Sequence, residues 1–147
     1  MNGFTALAVL LGLVAVATAA GLVWRARTGR VRREKSGEQV VAREVGAASF
    51  GTGATLLQFS TEFCAPCRAT ARILGEIGAE RVGVEHVEVD LTERPDLAGR
   101  FGILQTPTTL VLDRTGTIRA RIGGAVRAGD VRSTLDDLLG SSHARTV

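Results

Sequence analysis

The only two cysteines of this 147-residue chain stand in one short motif, Cys64-Ala65-Pro66-Cys67, at a strand-to-helix junction. Ahead of them, Ala54 to Ser60 (ATLLQFS) is an apolar run with the length of a buried strand. Behind them, Arg68 to Glu80 is a helix-forming run with Thr70, Ile73, Leu74 and Ile77 on one face. Two thiols at this spacing share one turn of helix, and a helix N-terminus favours negative charge. Cys64 can then be held as a thiolate, with Cys67 close enough to close a disulfide on it. The motif predicts dithiol–disulfide chemistry.

Other uses of the pair fit poorly. A structural zinc site needs four ligands, and only His86 and His143 could join the cysteines, His143 in a polar tail, so no metal is expected. A c-type haem attachment needs His after the second cysteine, where this chain has Arg68. A permanent staple across so short a loop would remove little unfolded-state entropy. Thr61-x-x-Cys64 resembles half of a peroxiredoxin motif, but the proline of that family would fall at Leu57. No cofactor is expected.

Phe4 to Trp24 carries no charge over 21 positions. As a helix it would be about 31 Å long, enough to cross a bilayer core. Trp24 would then be an interfacial anchor. A cleaved signal peptide is the alternative, with Thr18-Ala19-Ala20 as a possible cleavage site. Against it, Met1-Asn2-Gly3 has no Lys or Arg, and the apolar run is long for such a peptide. A membrane helix over 4–24 is therefore expected, followed by a basic juxtamembrane linker over 25–37. Six basic residues and Glu34 give residues 1–35 a balance of +5, leaving −2 for 36–147 out of the total of +3. The basic character belongs to the membrane flank, and no nucleic-acid partner is expected. Because positive flanks stay on the cytoplasmic side, the following domain is expected in the cytoplasm.

The rest of the chain predicts one α/β domain over 38–140. Glu38 to Val45 could form a short edge strand, and Gly46 to Gly53 a loop or helical turn. Val84 to Asp90 alternates like a strand, and Pro95 to Arg100 can begin a helix. Thr108 to Asp113 and Thr117 to Ile122 flank a turn at Asp113-Arg114-Thr115-Gly116, and Gly129 to Leu139 closes with a helix. Residues 141–147 have the composition of a flexible tail. The order predicts a mixed sheet with helices on both faces.

With these elements in place, the chain resembles the thioredoxin family over about Gln39 to Gly140. The resemblance is carried by Phe59, Cys64, Pro66, Cys67 and Arg68, then Val89-Asp90, Phe101-Gly102-Ile103, Thr106-Pro107-Thr108 and Gly123-Gly124. It implies a thioredoxin-like fold, Cys64 as nucleophile and Cys67 as resolving thiol, with Pro66 stiffening the turn. It also implies a cis Pro107 beside the cysteines and a Thr106 backbone that pairs with an extended substrate. Three departures stand out. Phe63 replaces the usual Trp, which would keep an apolar shield over the site. Gln58 replaces the buried acid, and His86 replaces its lysine partner, which puts rapid turnover in doubt. His86 is either a proton shuttle or a half-buried strand histidine.

The function expected is that of a membrane-anchored protein-disulfide reductase, acting on disulfide-containing proteins and recharged by a reductase or dithiol donor. Its alternatives are the same exchange on the outer face, for exported proteins or cytochrome maturation, and a redox-sensing or scaffold module with low turnover. The proline at position 66 is reductant-like.

Overall fold

Alternating side-chain direction along the strands explains how the domain is layered. In a computed structural model describing residues 2–143, Leu57 and Phe59 point to one side of strand Ala54–Ser60, and Ala54, Leu56 and Gln58 point to the other. We number the strands β1 (Val31–Arg33), β2 (Ala54–Ser60), β3 (Val84–Asp90), β4 (Thr108–Asp113) and β5 (Ile118–Gly123). They form a single sheet in the order β1-β5-β4-β2-β3. Only β2 and β3 are parallel, joined through a helical crossover; β4 and β5 form an antiparallel hairpin.

The helices are α1 (Gly3–Arg27), α2 (Ala65–Glu80), α3 (Pro95–Arg100) and α4 (Ala128–His143). On one face of the sheet, α2 and α4 bury Leu74, Ile77, Val131 and Leu135 against Leu56, Val111, Ala120 and Ile122. On the other, α3 brings Leu97 onto Leu57, Phe59, Leu110 and Leu112. Phe59 and Phe101 meet there with ring centroids 5.5 Å apart. The fold is thioredoxin-like: a mixed sheet flanked by helices, with an apolar helix ahead of it. That helix, over Gly3–Ala26, has a mean hydropathy of 2.5, no buried residue in its most apolar window, and length and composition enough to cross a membrane.

Several local expectations change. Glu38 to Val45 is not an edge strand. It makes one isolated bridge, Gln39 to Thr117, and then a 3-10 turn over Ala42–Val45. Val40 and Val45 are the buried pair, a spacing that does not alternate, and Gly46 ends the turn at φ 73° with its N–H on the Ala42 and Arg43 carbonyls. The edge strand lies instead inside the segment expected to be a linker. There Val31, Arg32 and Arg33 pair with Ile122, Arg121 and Ala120 of β5. Gly29, at φ 79°, turns the chain onto β5, and a side chain there would collide with the Ala125 carbonyl. Helix α4 continues to His143, into the stretch expected to be a tail; residues 144–147 of that expectation lie outside the described residues.

Candidate active site

The C-terminal ends of β2 and β3 and the start of β4 meet at one end of the sheet, where the chain places both cysteines. Cys64 caps α2, and the Cys67 N–H donates to its Sγ at 3.2 Å. Pro66 occupies the first turn, where a missing N–H costs nothing because no carbonyl precedes it in the helix. The two sulfurs are joined in a disulfide, with Cα atoms 5.2 Å apart. Cys64 is 8% exposed and Cys67 only 2%, so Cys64 is the more accessible residue of the pair. A thiolate at Cys64 would keep the Cys67 N–H as a donor and gain the positive end of α2.

Beneath Cys67 lies a polar cluster. Gln58 is fully buried, and its Nε2 donates to the Cys67 carbonyl at 3.0 Å. That carbonyl can only accept, so the amide NH2 must face it, which turns Gln58 Oε1 toward His86 Nε2 at 3.1 Å. Oε1 is also an acceptor only, so His86 carries its proton on Nε2. Burial lowers the pKa of His86 below the usual histidine value, with the Glu88 carboxylate opposing the shift. Glu88 accepts from Ser60 Oγ at 2.7 Å and from Gln58 Nε2 at 3.4 Å.

Strand pairing assembles this group. Gln58 lies opposite Glu88 in the parallel register, and His86 and Glu88 share a face because strand side chains alternate. Glu88 and Ser60 were not singled out from the sequence. The two-residue step from His86 was the available signal, but pairing it with Gln58 required the register.

A second loop closes the site. The Thr106–Pro107 peptide bond is cis, and Pro107 is buried. Thr106 Oγ1 lies 3.2 Å from Thr61 Oγ1, linking this loop to the segment before the cysteines. The Gly124 N–H donates to the Pro107 carbonyl at 2.7 Å, so the end of β5 supports the loop. Phe63, expected to shield the sulfurs, does not lie over them: it is 93% exposed and projects from the rim. Position 63 is in the turn ahead of the Cys64 cap, where no neighbouring element covers the ring. Leu104, on the other side of the site, is 98% exposed.

The family model for thioredoxin matches residues 44–137, more than half of the chain and the span that contains every site element described above. The chain belongs to the thioredoxin family. Among thioredoxins, that of Listeria monocytogenes is 32% identical over 88 residues, covering 56% of this chain and 85% of the relative. Thioredoxin of Bacillus subtilis is 30% identical over 78 residues, covering 52% and 75%. In fold, the oxidised mitochondrial thioredoxin 3 of Saccharomyces cerevisiae superposes with a TM-score of 0.52 at 23% identity, over 59% of this chain and 80% of that one. This thioredoxin-family chain is a thiol-disulfide oxidoreductase, and Cys64 and Cys67 are its redox-active pair.

Proposed function

We propose that this is a membrane-tethered protein-disulfide reductase in which Cys64 attacks and Cys67 resolves. The observation that carries the reading is the asymmetry of the pair: Cys64 caps α2 and is the more exposed residue, whereas Cys67 is enclosed. Cys64 as thiolate attacks one sulfur of a substrate disulfide, forming a mixed disulfide and expelling a substrate thiolate that takes up a proton. Cys67 then loses its proton and attacks Cys64 Sγ, which releases the second substrate thiol and closes the Cys64–Cys67 disulfide. The two electrons come from the dithiol and are restored by an external dithiol donor or reductase. Thr106 would pair with the substrate backbone next to cis Pro107.

The apolar length of α1 supports the tether, and the basic residues after it support a cytoplasmic domain. With Gln58 in place of the family's buried acid, the group under Cys67 offers no carboxylate to take its proton: the amide donates to the Cys67 carbonyl, and His86 turns an already protonated nitrogen toward it.

Two measurements on the full chain test this reading. Cys67→Ser should accumulate mixed disulfides with substrate proteins, and Cys64→Ser should not; equal trapping by both refutes the assignment. A membrane-impermeant maleimide should reach the cysteines only after lysis. Labelling in intact cells would place the domain on the outer face.

A further inference from the structure

The register of β1 decides where the membrane helix leaves the domain. Because β1 is antiparallel to β5, with Val31 opposite Ile122 and Arg33 opposite Ala120, the residues before β1 lie at the Gly123 end of β5. That is also the active-site end: Gly123 lies opposite Thr108, and Gly124 holds the Pro107 carbonyl. The connection is short and fastened. Thr28 caps α1 through the Trp24 carbonyl, and the Gly29 N–H donates to the Gly123 carbonyl at 2.8 Å. Farther along, the Glu34 N–H donates to the Arg119 carbonyl at 2.9 Å. A side chain at Gly124 would collide with the Thr28 methyl, so the two segments are in direct contact.

Only Thr28, Gly29 and Arg30 separate α1 from β1. Three residues reach at most about 10 Å, and the headgroup layer on one side of a bilayer is about 5–8 Å thick. With α1 in a membrane, the end of the sheet bearing Cys64, Thr106 and Pro107 is held against the headgroups. An open cleft of about 710 Å³ lies between the loop at Gln105 and the α1 residues Val16, Ala19, Val23 and Trp24. It runs from the membrane helix to the substrate-pairing loop. The exposed rings and branches at the rim, Phe63 and Leu104, suit an apolar surrounding better than water. Exposed Arg25 and Arg30 beside this end would meet anionic headgroups.

We infer that the substrates are disulfides of membrane-embedded proteins lying within a few residues of a transmembrane segment, and that the chain flanking that segment occupies the cleft between α1 and Gln105. This rests on the tethered-reductase reading. A large soluble protein would have to bring its disulfide between the domain and the bilayer, and the tether leaves no room for it.

The test uses the full chain in vesicles containing anionic lipid, with a chemical dithiol as donor. Three substrates are compared: a single-span peptide with its disulfide next to the span, soluble insulin, and a small aromatic disulfide that diffuses freely. A variant carries a Gly-Ser insertion of about 20 residues between Arg27 and Thr28, which adds about 25 Å of reach. The parent chain should reduce the juxtamembrane disulfide at least about ten-fold faster than insulin, and the insertion should bring the two within about two-fold, since it frees the site from the bilayer surface and leaves the domain unaltered. Equal reduction of the small disulfide by both chains reports an intact domain; if the long insertion loses it, one of about eight residues replaces it, with the same direction expected. The inference is overturned if the parent reduces insulin as fast as the juxtamembrane disulfide, or if the insertion leaves the ratio unchanged. Failure of the parent to float with vesicles, or to reduce any of the three substrates, instead overturns the tethered-reductase reading, and the inference with it.

Discussion

Gln58→Glu exchanges one NH2 for an oxygen, and the structure predicts a large, pH-dependent loss of stability from it. The new carboxyl would be fully buried, as Gln58 is. Its oxygen would face the Cys67 carbonyl across 3.0 Å, a contact that needs a proton, and the Glu88 carboxylate across 3.4 Å. Burial, an acceptor partner and a like charge all favour the protonated acid. Only His86 opposes them, and burial already disfavours its charged form. A folded pKa about two units above the unfolded value near 4.3 is a modest outcome for such a site. With the folded pKa raised, the folded state binds more protons than the unfolded one between those values, so stability falls as pH rises. At about 1.4 kcal/mol per unit, the variant should match the parent near pH 4 and be about 2.7 kcal/mol less stable at pH 7. For a domain of this size that is a fall of about 10–20 °C in Tm. Urea unfolding of the full oxidised chain in detergent, followed by pulse proteolysis at several pH values, measures it. A variant-minus-parent difference that does not change between pH 4 and pH 7 would refute the placement of Gln58 in a dry site against the Cys67 carbonyl.

The remaining predictions concern the neighbours of that site and the turn that supports β2. Because burial lowers the folded pKa of His86, the unfolded chain binds more protons below its ordinary value near 6.5, so parent stability should fall as pH drops through that value. His86→Gln should remove that part of the slope, and identical pH profiles would show that His86 is not held neutral. At Gly51 a Cβ would overlap the Ala54 carbonyl and lie 2.6 Å from the Gly83 carbonyl, both backbone groups that cannot swing away. Gly51→Ala should therefore cost at least about 3 kcal/mol, read as a lower urea midpoint, and a loss below about 1 kcal/mol would contradict the packing there.

Most of the elements around the site were legible because their signals are local. The apolar run before Cys64, the alternation in Val84–Asp90 and the Asp113–Gly116 turn each specify an element within a few residues. The edge strand was not legible. Val31–Arg33 has no apolar run, and two arginines in a three-residue strand read as charge beside a membrane helix. Its pairing is decided by Gly29 turning the chain and by the free edge of β5, which lies about ninety residues away in sequence. The Phe63 reading failed for a related reason: whether a ring shields or projects depends on what stands opposite it.

The sequence alone determined the chemistry and the family. Two cysteines at one helix turn, with Thr106-Pro107-Thr108 downstream, admit few uses, and helix and strand periodicities order the elements between them. Tertiary structure decided which groups cooperate and where the site faces. Gln58, His86, Glu88 and Ser60 become one cluster only through the β2–β3 register. The membrane helix and Pro107 share one end of the sheet only because β1 runs antiparallel to β5. Both depend on contacts between residues far apart in the chain, which local patterns do not encode.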